Sequence, residues 1–477
     1  MSDPLTPPLP TLPLPSPPTE ASPNVTPAAP EVPAPTGGVV EPFIIPRGEH
    51  PVSRQLIDRE ALKVMYRLRD AGFLAYLVGG GVRDLFLGKT PKDFDVSTDA
   101  RPGQLRKIFR NSRIIGRRFQ LVQVFYPGNK IIEVSTFRRQ AEHDLDGADT
   151  VLPADNTFGS PAEDAFRRDL TINALFYEIE GYTVIDYTGG VRDLRNRIVR
   201  IIGEPERRIV RDPVRMLRAI RHAARADFVI EPRSWEAIRG HVDKLRLCPA
   251  SRIHDELMKD LQGGASRAWC ELAIRSGVFR VLFPFYDGLL DGEEGNGTRR
   301  RLLDLLGVVD HLAAQGQKLP TYLLFALLFV PWAEKTAGLT EVRSLREAFE
   351  LSRQVRETLH SFFASLNVKR HTQDEATRCL ASLPLLVNNE TAGGWPKWLK
   401  KKSYFGIGSA IFKINRQASG GEPARIEVPA APPASDRGPD LPVRVPERER
   451  GEGGGGKRPA FNPKGKGGIF GLRRRRG

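Results

Sequence analysis

The chain has 477 residues, a formal net charge of +15 and a pI near 9.8. Its hydrophobic fraction of 40% is enough for two or three domains with cores, and the basic balance indicates a polyanionic partner. Three scattered cysteines exclude a disulfide framework or a zinc cluster and favour reduced thiols in a cytoplasmic protein.

Both ends of the chain have the composition of disordered segments. Fifteen prolines lie in the first 46 residues and no Lys or Arg precedes Arg47, so residues 1–48 are predicted to be a Pro-rich leader and not a signal peptide. Pro, Gly and Arg dominate from residue 416, which predicts a basic disordered tail over 416–477. Residues 451–477 carry eight basic side chains against Glu452. This end, including Arg473, Arg474, Arg475 and Arg476, is predicted to bind the polyanionic partner.

Helix and strand patterns alternate in the first half of the folded region. In chain order the predicted elements are a helix over 53–71, strands over 75–78 and 93–96, a helix over 102–109, and a hairpin of 121–126 with 130–137. From about Arg207 onward helical patterns take over. The sequence therefore predicts an α/β head over 49–205, a helical neck over 206–265 and a helical body over 266–415.

One apolar run lies within the predicted body. Residues 322–330 are bounded by Pro320 and Pro331. The run is shorter than the ~20 residues of a membrane span. It predicts a buried core helix, and we expect no membrane partner.

The first chemical motif combines a glycine turn with two acids. Gly79, Gly80 and Gly81 follow the first predicted strand and offer backbone N–H groups suited to phosphate. Asp93 and Asp95 are predicted to point the same way from the next strand, because strand side chains alternate faces. Two carboxylates on one rigid face suit Mg²⁺, which also takes substrate phosphates and water.

A third acid, Glu133 on the predicted hairpin, is a candidate to complete the metal site. Structural interpretations remain open, because a lone Asp-x-Asp is more often a solvated strand edge and a glycine triplet more often a tight turn.

A second block, residues 163–174, mixes acids and arginines. Arg168 is suited to grip triphosphate oxygens. Asp169 and Asn173 are four positions apart, and are predicted to be neighbours on a helix face that hydrogen-bonds ribose hydroxyls. The alternative is a helical charge cluster with solvated pairs.

A third block, residues 211–221, predicts an amphipathic helix that begins at Pro213. Asp212 and Arg215 combine an acceptor with a donor fork and can address one base edge. The alternative is a solvated basic face, and His222 in that stripe is predicted to lie at the surface.

In this order and spacing the three blocks resemble the class II nucleotidyltransferases, the family of CCA-adding tRNA enzymes and bacterial poly(A) polymerases. The resemblance runs from about Leu56 to Gly264, and more weakly through the helical body. In combination the motifs are specific. The resemblance implies a polymerase-β-like head with a small mixed sheet, followed by an all-α neck and body.

The resemblance also implies residue roles. By this resemblance, phosphate is bound by Gly79, Gly80, Arg83 and Asp84, and the catalytic metal ions are bound by Asp93 and Asp95. Ribose recognition and active-site organisation are assigned to Arg168, Asp169 and Asn173. The incoming base is contacted by Asp212 and Arg215. Asp186–Leu194 matches a flexible connector, and residues 251–256 match a supporting neck helix with Arg252 and Glu256 as an i,i+4 pair. One residue departs from the pattern, since Arg211 stands where the family usually has Glu.

The motif at residues 113–121 resembles a signature of the poly(A) branch, and the basic C-terminus agrees with it. The implied reaction adds AMP from ATP to RNA 3′ ends with two Mg²⁺ ions, and the tails are candidates to bind RNA-turnover proteins. CCA or A addition to tRNA remains the alternative. A third possibility is a catalytically inactive RNA-binding protein on the same scaffold. The retention of Asp93, Asp95, Arg168 and Asp169 disfavours it, because RNA binding alone requires none of them. The run 395–402 suits base stacking or an inward-packed surface helix.

Overall fold

The computed structural model describes residues 41–116, 120–139, 157–391, 394–422 and 426. Most of the predicted leader, residues 117–119 of the 113–121 motif, and most of the predicted tail, including Arg473–Arg476, lie outside the described residues. The predicted start of the disordered tail at residue 416 is wrong, because residues 416–418 are the end of a helix that begins at Phe405. No helix in the described part of the chain is long and apolar enough to cross a membrane.

A mixed sheet organises the head. Its strands are β1 (Phe43–Ile45), β2 (Ala75–Val78), β3 (Asp95–Thr98), β4 (Ser112–Ile115), β5 (Leu121–Tyr126), β6 (Lys130–Thr136), β7 (Leu175–Glu178) and β8 (Val184–Asp186). Within the described residues their order is β1-β8-β7-β2-β3-β6-β5-β4. Only β3 and β6 pair in parallel among these strands. The mixed sheet confirms the predicted head fold, and the predicted hairpin is β5 with β6. A separate parallel pair joins β9 (Ile198–Val199) to β10 (Val229–Ile230).

Two strands differ from their predictions. β3 begins at Asp95, so Asp93 lies in the preceding loop and not in the strand. β1 lies inside the predicted leader, between Pro42 and Pro46. Proline lacks a backbone N–H and is tolerated beside edge strands, and β1 is such an edge strand, paired only with β8. A three-residue strand is too short for its pattern to be recognised.

Helices cover the head sheet and form most of the rest of the described chain. The short strand β10 lies within the neck, so the expectation of an all-α neck is wrong at this point. In the head they are α1 (Arg59–Asp70), α2 (Gly80–Phe86), α3 (Pro102–Ile108), α4 (Pro161–Arg167) and α5 (Gly190–Arg195). In the neck and body they are α6 (Pro205–Arg211), α7 (Val214–Ala226), α8 (Pro232–Gly240), α9 (Ala250–Leu261), α10 (Ser266–Ser276), α11 (Val278–Leu282), α12 (Gly292–Ala314), α13 (Thr321–Thr336), α14 (Leu345–Thr358), α15 (His360–Ser365), α16 (Arg370–Asn388), α17 (Lys397–Lys400) and α18 (Phe405–Ala418). The predicted helical body is confirmed.

The body core forms around α13, as its apolar run predicts. Phe325 and Phe329 of this helix are fully buried and meet Phe362 edge-to-face at 5.8 and 5.7 Å between ring centroids. Trp395 packs inward against the ring of Phe405 at 5.3 Å. The run 395–402 therefore contributes its first tryptophan to the core rather than to a stacking surface.

The segment Asp186–Leu194 is a capped helix start and not an open connector. The buried Asp186 carboxylate accepts hydrogen bonds of 2.9–3.0 Å from the backbone N–H groups of residues 188–191. The N–H groups of Gly190 and Val191 are otherwise unpaired donors of the first turn of α5. The helix then packs on the 3₁₀ turn Thr171–Asn173, where the buried Thr171 hydroxyl donates to Asp193 over 2.6 Å.

We expect Gly190→Ala to destabilise the head, because a Cβ at Gly190 would lie 2.2 Å from the Thr171 carbonyl oxygen. A backbone clash of this kind costs about 2 kcal/mol or more and should lower the thermal unfolding midpoint by about 4–8 °C. Gly103→Ala in α3 is the matched control, because its Cβ would meet nothing within 4 Å. Equal midpoints for the two variants would contradict the packing described for α5.

Candidate active site

The glycine turn connects β2 to α2. Gly79 has a φ of 69°, which glycine adopts without strain, and its N–H donates to the Leu175 carbonyl over 3.2 Å. A Cβ on Gly79 would lie 3.1 Å from Nη1 of Arg168. The absence of a side chain at Gly79 thus lets the Arg168 guanidinium approach the start of α2.

Asp93 and Asp95 lie beside this turn. Asp95 is the first residue of β3 and pairs with Val78, whereas Asp93 precedes it in the loop, and both are exposed. Surrounding protein shields Asp95 from part of the bulk water and raises its pKa to about 6, and the charge of Glu133 contributes more than that of Asp93. The carboxylates are therefore close enough to repel one another.

Glu133 is not brought into a three-carboxylate ligand set. On β6 it accepts a hydrogen bond from Gln123 over 3.0 Å. In the described ranges no group of three or more His, Cys, Asp or Glu side chains is arranged to hold a metal ion. Glu133 is an electrostatic neighbour of Asp95.

Arg83 connects the glycine turn to two acceptor side chains. Its Nε and Nη2 donate to the Asp84 carboxylate over 2.9 and 2.7 Å, and Nη1 donates to Asn173 Oδ1 over 2.6 Å. Asp84 is thereby neutralised, and the turn Thr171–Asn173 is tied to α2.

A cavity of about 430 Å³ gathers these groups. Its lining includes Gly80, Arg83, Asp84, Asp93 and Asp95. The same cavity is lined by cations to which the sequence analysis gave no role, namely Lys89, Lys92 and Arg225. Lys89 and Lys92 lie just before Asp93 in the sequence, and the closeness of these cations to the paired acids is the signal that could have identified them.

Asp169 is a buried organising group. Asp169 Oδ1 accepts from the Leu170 N–H over 2.8 Å and from Asn173 Nδ2 over 3.3 Å, and Oδ2 lies 2.9 Å from Nε of Arg218. Burial acts to raise its pKa, but the positive charge of Arg218 holds it well below the usual range. Asp169 and Asn173 are neighbours as predicted, through an extended residue and a 3₁₀ turn rather than through an α-helix.

The neck brings Asp212 and Arg215 together at the start of α7. Arg215 Nε lies 3.7 Å from Asp212 Oδ2, and Arg215 Nη1 donates to the Arg168 carbonyl over 2.9 Å. Arg252 holds both Asp212 oxygens, at 2.9 and 3.1 Å. The predicted Arg252–Glu256 pair is wrong, since among the described residues Glu256 pairs with Arg221 and Lys259.

Comparison with known proteins identifies the family. Residues 75–200 match the poly A polymerase head domain, and residues 227–290 match the probable RNA and SrmB-binding site of polymerase A. The chain is 40% identical over 366 residues to poly(A) polymerase I of Escherichia coli O6:H1, which covers 75% of each chain. The chain belongs to the class II nucleotidyltransferases. The predicted family is thereby confirmed.

The sequence similarity to CCA-adding enzymes of the same family extends over a smaller part of the chain. The CCA-adding enzyme of Bacillus subtilis strain 168 is 36% identical over 228 residues, 48% of this chain and 56% of that protein. The structure of Bacillus stearothermophilus CCA-adding enzyme in complex with CTP matches with a TM-score of 0.55 at 26% identity, over 76% of this chain and 79% of that one. The fold is shared across the family.

His222 lines the same cavity as Asp93 and Asp95, so the prediction of a surface histidine is wrong. Its Nδ1 is 3.3 Å from Arg83 Nη1, and its Nε2 is 3.3 Å from Asn173 Nδ2. Both neighbours present N–H groups to the imidazole, because Asn173 Oδ1 already accepts a hydrogen bond from Arg83 and the amide nitrogen therefore faces His222. A neutral imidazole has one acceptor nitrogen and an imidazolium has none. Burial, followed by the charge of Arg83, accordingly lowers the pKa of His222 well below its usual value.

We expect His222→Gln to reduce the acid sensitivity of the fold. Since folding lowers the His222 pKa, the unfolded chain takes up the proton first, so stability falls as pH decreases below about 6.5. Thermal midpoints measured between about pH 7.5 and 5.5 should therefore fall less steeply in the glutamine variant than in the wild type. His371→Gln, at an exposed position in α16, is the control. Parallel curves for all three proteins would disprove the effect.

Proposed function

We propose that the protein is a template-independent poly(A) polymerase that adds AMP from ATP to RNA 3′ ends. The observation that carries the proposal is the extent of the match to poly(A) polymerase I, over three quarters of both chains, against about half for the CCA-adding enzyme of Bacillus subtilis. The matched RNA-binding region at 227–290 supports RNA as the second substrate.

Asp93 and Asp95 are the proposed ligands of two Mg²⁺ ions. The donor set fits this ion, since both side chains are exposed carboxylates at a cavity lined by phosphate-binding groups. Burial, followed by the negative charge of Glu133, raises the pKa of Asp95 to about 6, and a divalent cation beside Asp95 would favour its charged form. Bound Mg²⁺ would lower the pKa of the attacking hydroxyl and neutralise the pyrophosphate.

The surrounding residues are proposed to bind and orient ATP. Gly79, Gly80 and Arg83 would hold the triphosphate, with Arg168 beside the turn. Lys89 and Lys92 would add positive charge around the leaving pyrophosphate. The RNA 3′-hydroxyl attacks the α-phosphorus in line while the bond to the pyrophosphate oxygen breaks. Positioning and electrostatics account for catalysis without a covalent enzyme intermediate.

Asp169 and Asn173 are proposed to act on the ribose side of the site. Asp169 is turned inward toward Arg218, so its part is to fix the Asn173 amide through their 3.3 Å hydrogen bond. Asp212 and Arg215 are proposed to contact the base, with Arg252 holding the Asp212 carboxylate in place.

Asp93→Ala and Asp95→Ala should each abolish AMP addition while leaving RNA affinity nearly intact, because the metal loses its ligand but the RNA surface is unchanged. Asp70→Ala, at the exposed end of α1, is the control for loss of one surface carboxylate. The assay is extension of oligo(A) with ATP and Mg²⁺. Retention of more than about a tenth of wild-type kcat, a loss under roughly 1.4 kcal/mol, would reject the metal assignment.

Nucleotide choice separates the poly(A) proposal from CCA addition. We expect long A tails on oligo(A) from ATP and poor use of CTP. A product that ends after three nucleotides on tRNA lacking CCA, and that needs CTP first, would place the protein in the CCA branch.

Arg252→Ala should reduce the preference for ATP, because Asp212 would lose its bidentate partner. Arg233→Ala, an exposed arginine on α8, is the control. The ratio of kcat/KM for ATP and CTP is the measurement. An unchanged ratio in Arg252→Ala would show that the Asp212 clamp does not set base choice.

A further inference from the structure

A second cavity, of about 270 Å³, lies at the other end of the head sheet. Its lining includes Arg47, His50, Ser53, Arg54, Tyr177 and Tyr182. β7 starts at Leu175, whose carbonyl accepts a hydrogen bond from the Gly79 N–H, and ends at Glu178, before the turn that contains Tyr182. This cavity shares no lining residue with the catalytic cavity.

Two guanidinium groups line this second cavity, and both lie against the ring of Tyr182. The Cζ atoms of Arg47 and Arg54 lie 5.1 and 5.3 Å from the centroid of the Tyr182 ring. Arg54 Nη1 also donates to the hydroxyls of Tyr66 and Tyr182, at 3.0 and 3.2 Å. The cavity lining contains no acidic residue, and neither arginine forms an ion pair with any described residue. Two cations at one ring repel each other, and an anion between them would remove that repulsion.

His50 also lines this cavity, and one of its two ring nitrogens has no hydrogen-bond partner among the described residues. It is 8% exposed, and its Nε2 donates to the Tyr182 carbonyl over 2.9 Å. Because a carbonyl only accepts, Nε2 carries the proton and Nδ1 of the neutral ring is a bare lone pair. Nδ1 is buried without a hydrogen-bond partner among the described residues. Burial lowers the pKa of His50 and thereby favours this neutral form.

Tyr182 has a φ of 55°, a conformation that non-glycine residues seldom adopt and that surrounding contacts must maintain. Its carbonyl is held by His50, its hydroxyl by Arg54 and its ring by both arginines. The strained turn thus fixes the positions of the cations and the acceptor before any ligand arrives.

We propose that this cavity binds one ribose-phosphate unit of RNA, with the phosphate between Arg47 and Arg54 and the ribose 2′-hydroxyl donating to His50 Nδ1. Cations alone would suit any anion, but the unpaired acceptor selects a ligand that also carries a hydroxyl donor, and the 2′-hydroxyl distinguishes RNA from DNA in this way. The volume is just below the ~300 Å³ at which pockets for whole small ligands begin, which suits a sugar and a phosphate without the base.

Ribose 5-phosphate is the minimal probe, measured by calorimetry on the full-length protein against 2-deoxyribose 5-phosphate and inorganic phosphate. The site should prefer the ribose compound over the deoxy compound at least about fivefold, about the gain from one hydrogen bond. Arg47→Glu should weaken the binding of ribose 5-phosphate at least about tenfold, because it replaces a charge that pairs with phosphate by one that repels it. Arg110→Glu, an exposed charge reversal remote from the cavity, should leave binding unchanged.

His50→Phe tests the acceptor, because it should abolish the preference for ribose over deoxyribose while retaining phosphate binding. Equal binding of the two sugars by the wild type would overturn the assignment of His50. Equal effects of Arg47→Glu and Arg110→Glu would overturn the site. Arg47→Glu leaves the buried contacts of His50 in place, so it tests the cavity even if His50→Phe does not fold.

The source of the ribose-phosphate is decided by kinetics. If an RNA strand occupies the cavity, Arg47→Glu should raise KM for oligo(A) severalfold at unchanged kcat, the pattern of lost uniform binding. If KM is unchanged while binding of ribose 5-phosphate and AMP is lost, the cavity takes a free ribonucleotide and the RNA assignment is overturned. The calorimetry needs no turnover, so its outcome is independent of the poly(A) proposal.

Discussion

The Arg83 guanidinium is the contact on which the arrangement of the site depends. Guanidinium is planar, remains charged at all accessible pH values and offers five donors in fixed directions. In this protein the donors reach Asp84 on its own helix, Asn173 in the neighbouring 3₁₀ turn, and His222 on α7. Three segments far apart in sequence therefore share one cation. Its side chain is only 14% exposed, so these partners replace most of its water.

The first long neck helix extends the same junction. Arg215, Arg218 and His222 lie on one side of α7, three or four residues apart, and each meets a different group of the head. Arg215 meets the Arg168 carbonyl, Arg218 the Asp169 carboxylate and His222 the Asn173 amide. The residues proposed to contact phosphate, ribose and base are thus connected through one helix. A shift of α7 would disturb all three contacts together.

Local sequence patterns predicted those strands and helices that are determined by interactions between residues close together in the chain. The strand Ala75–Val78 and the hairpin β5–β6 follow from apolar runs and a turn containing Gly128. His222 could not be placed in this way, because a basic helical stripe has the same pattern whether water or another segment covers it. The i,i+4 spacing of Arg252 and Glu256 predicted a pair worth only about 0.3–0.5 kcal/mol. Tertiary contacts with Asp212 and Arg221 outweighed it.

Strand β1 has a consequence for the order in which the head folds. Phe43 pairs with Asp186, a residue 143 positions later in the chain. At synthesis rates of about 5–20 residues per second, β1 leaves the ribosome roughly 7–28 s before its partner strand. During that interval Phe43 and Ile44, which stay largely exposed even in the folded protein, lie on an unpaired strand. Since Arg47 and His50 follow β1 and Tyr182 precedes β8, the cavity that they share forms only when this last edge of the sheet closes.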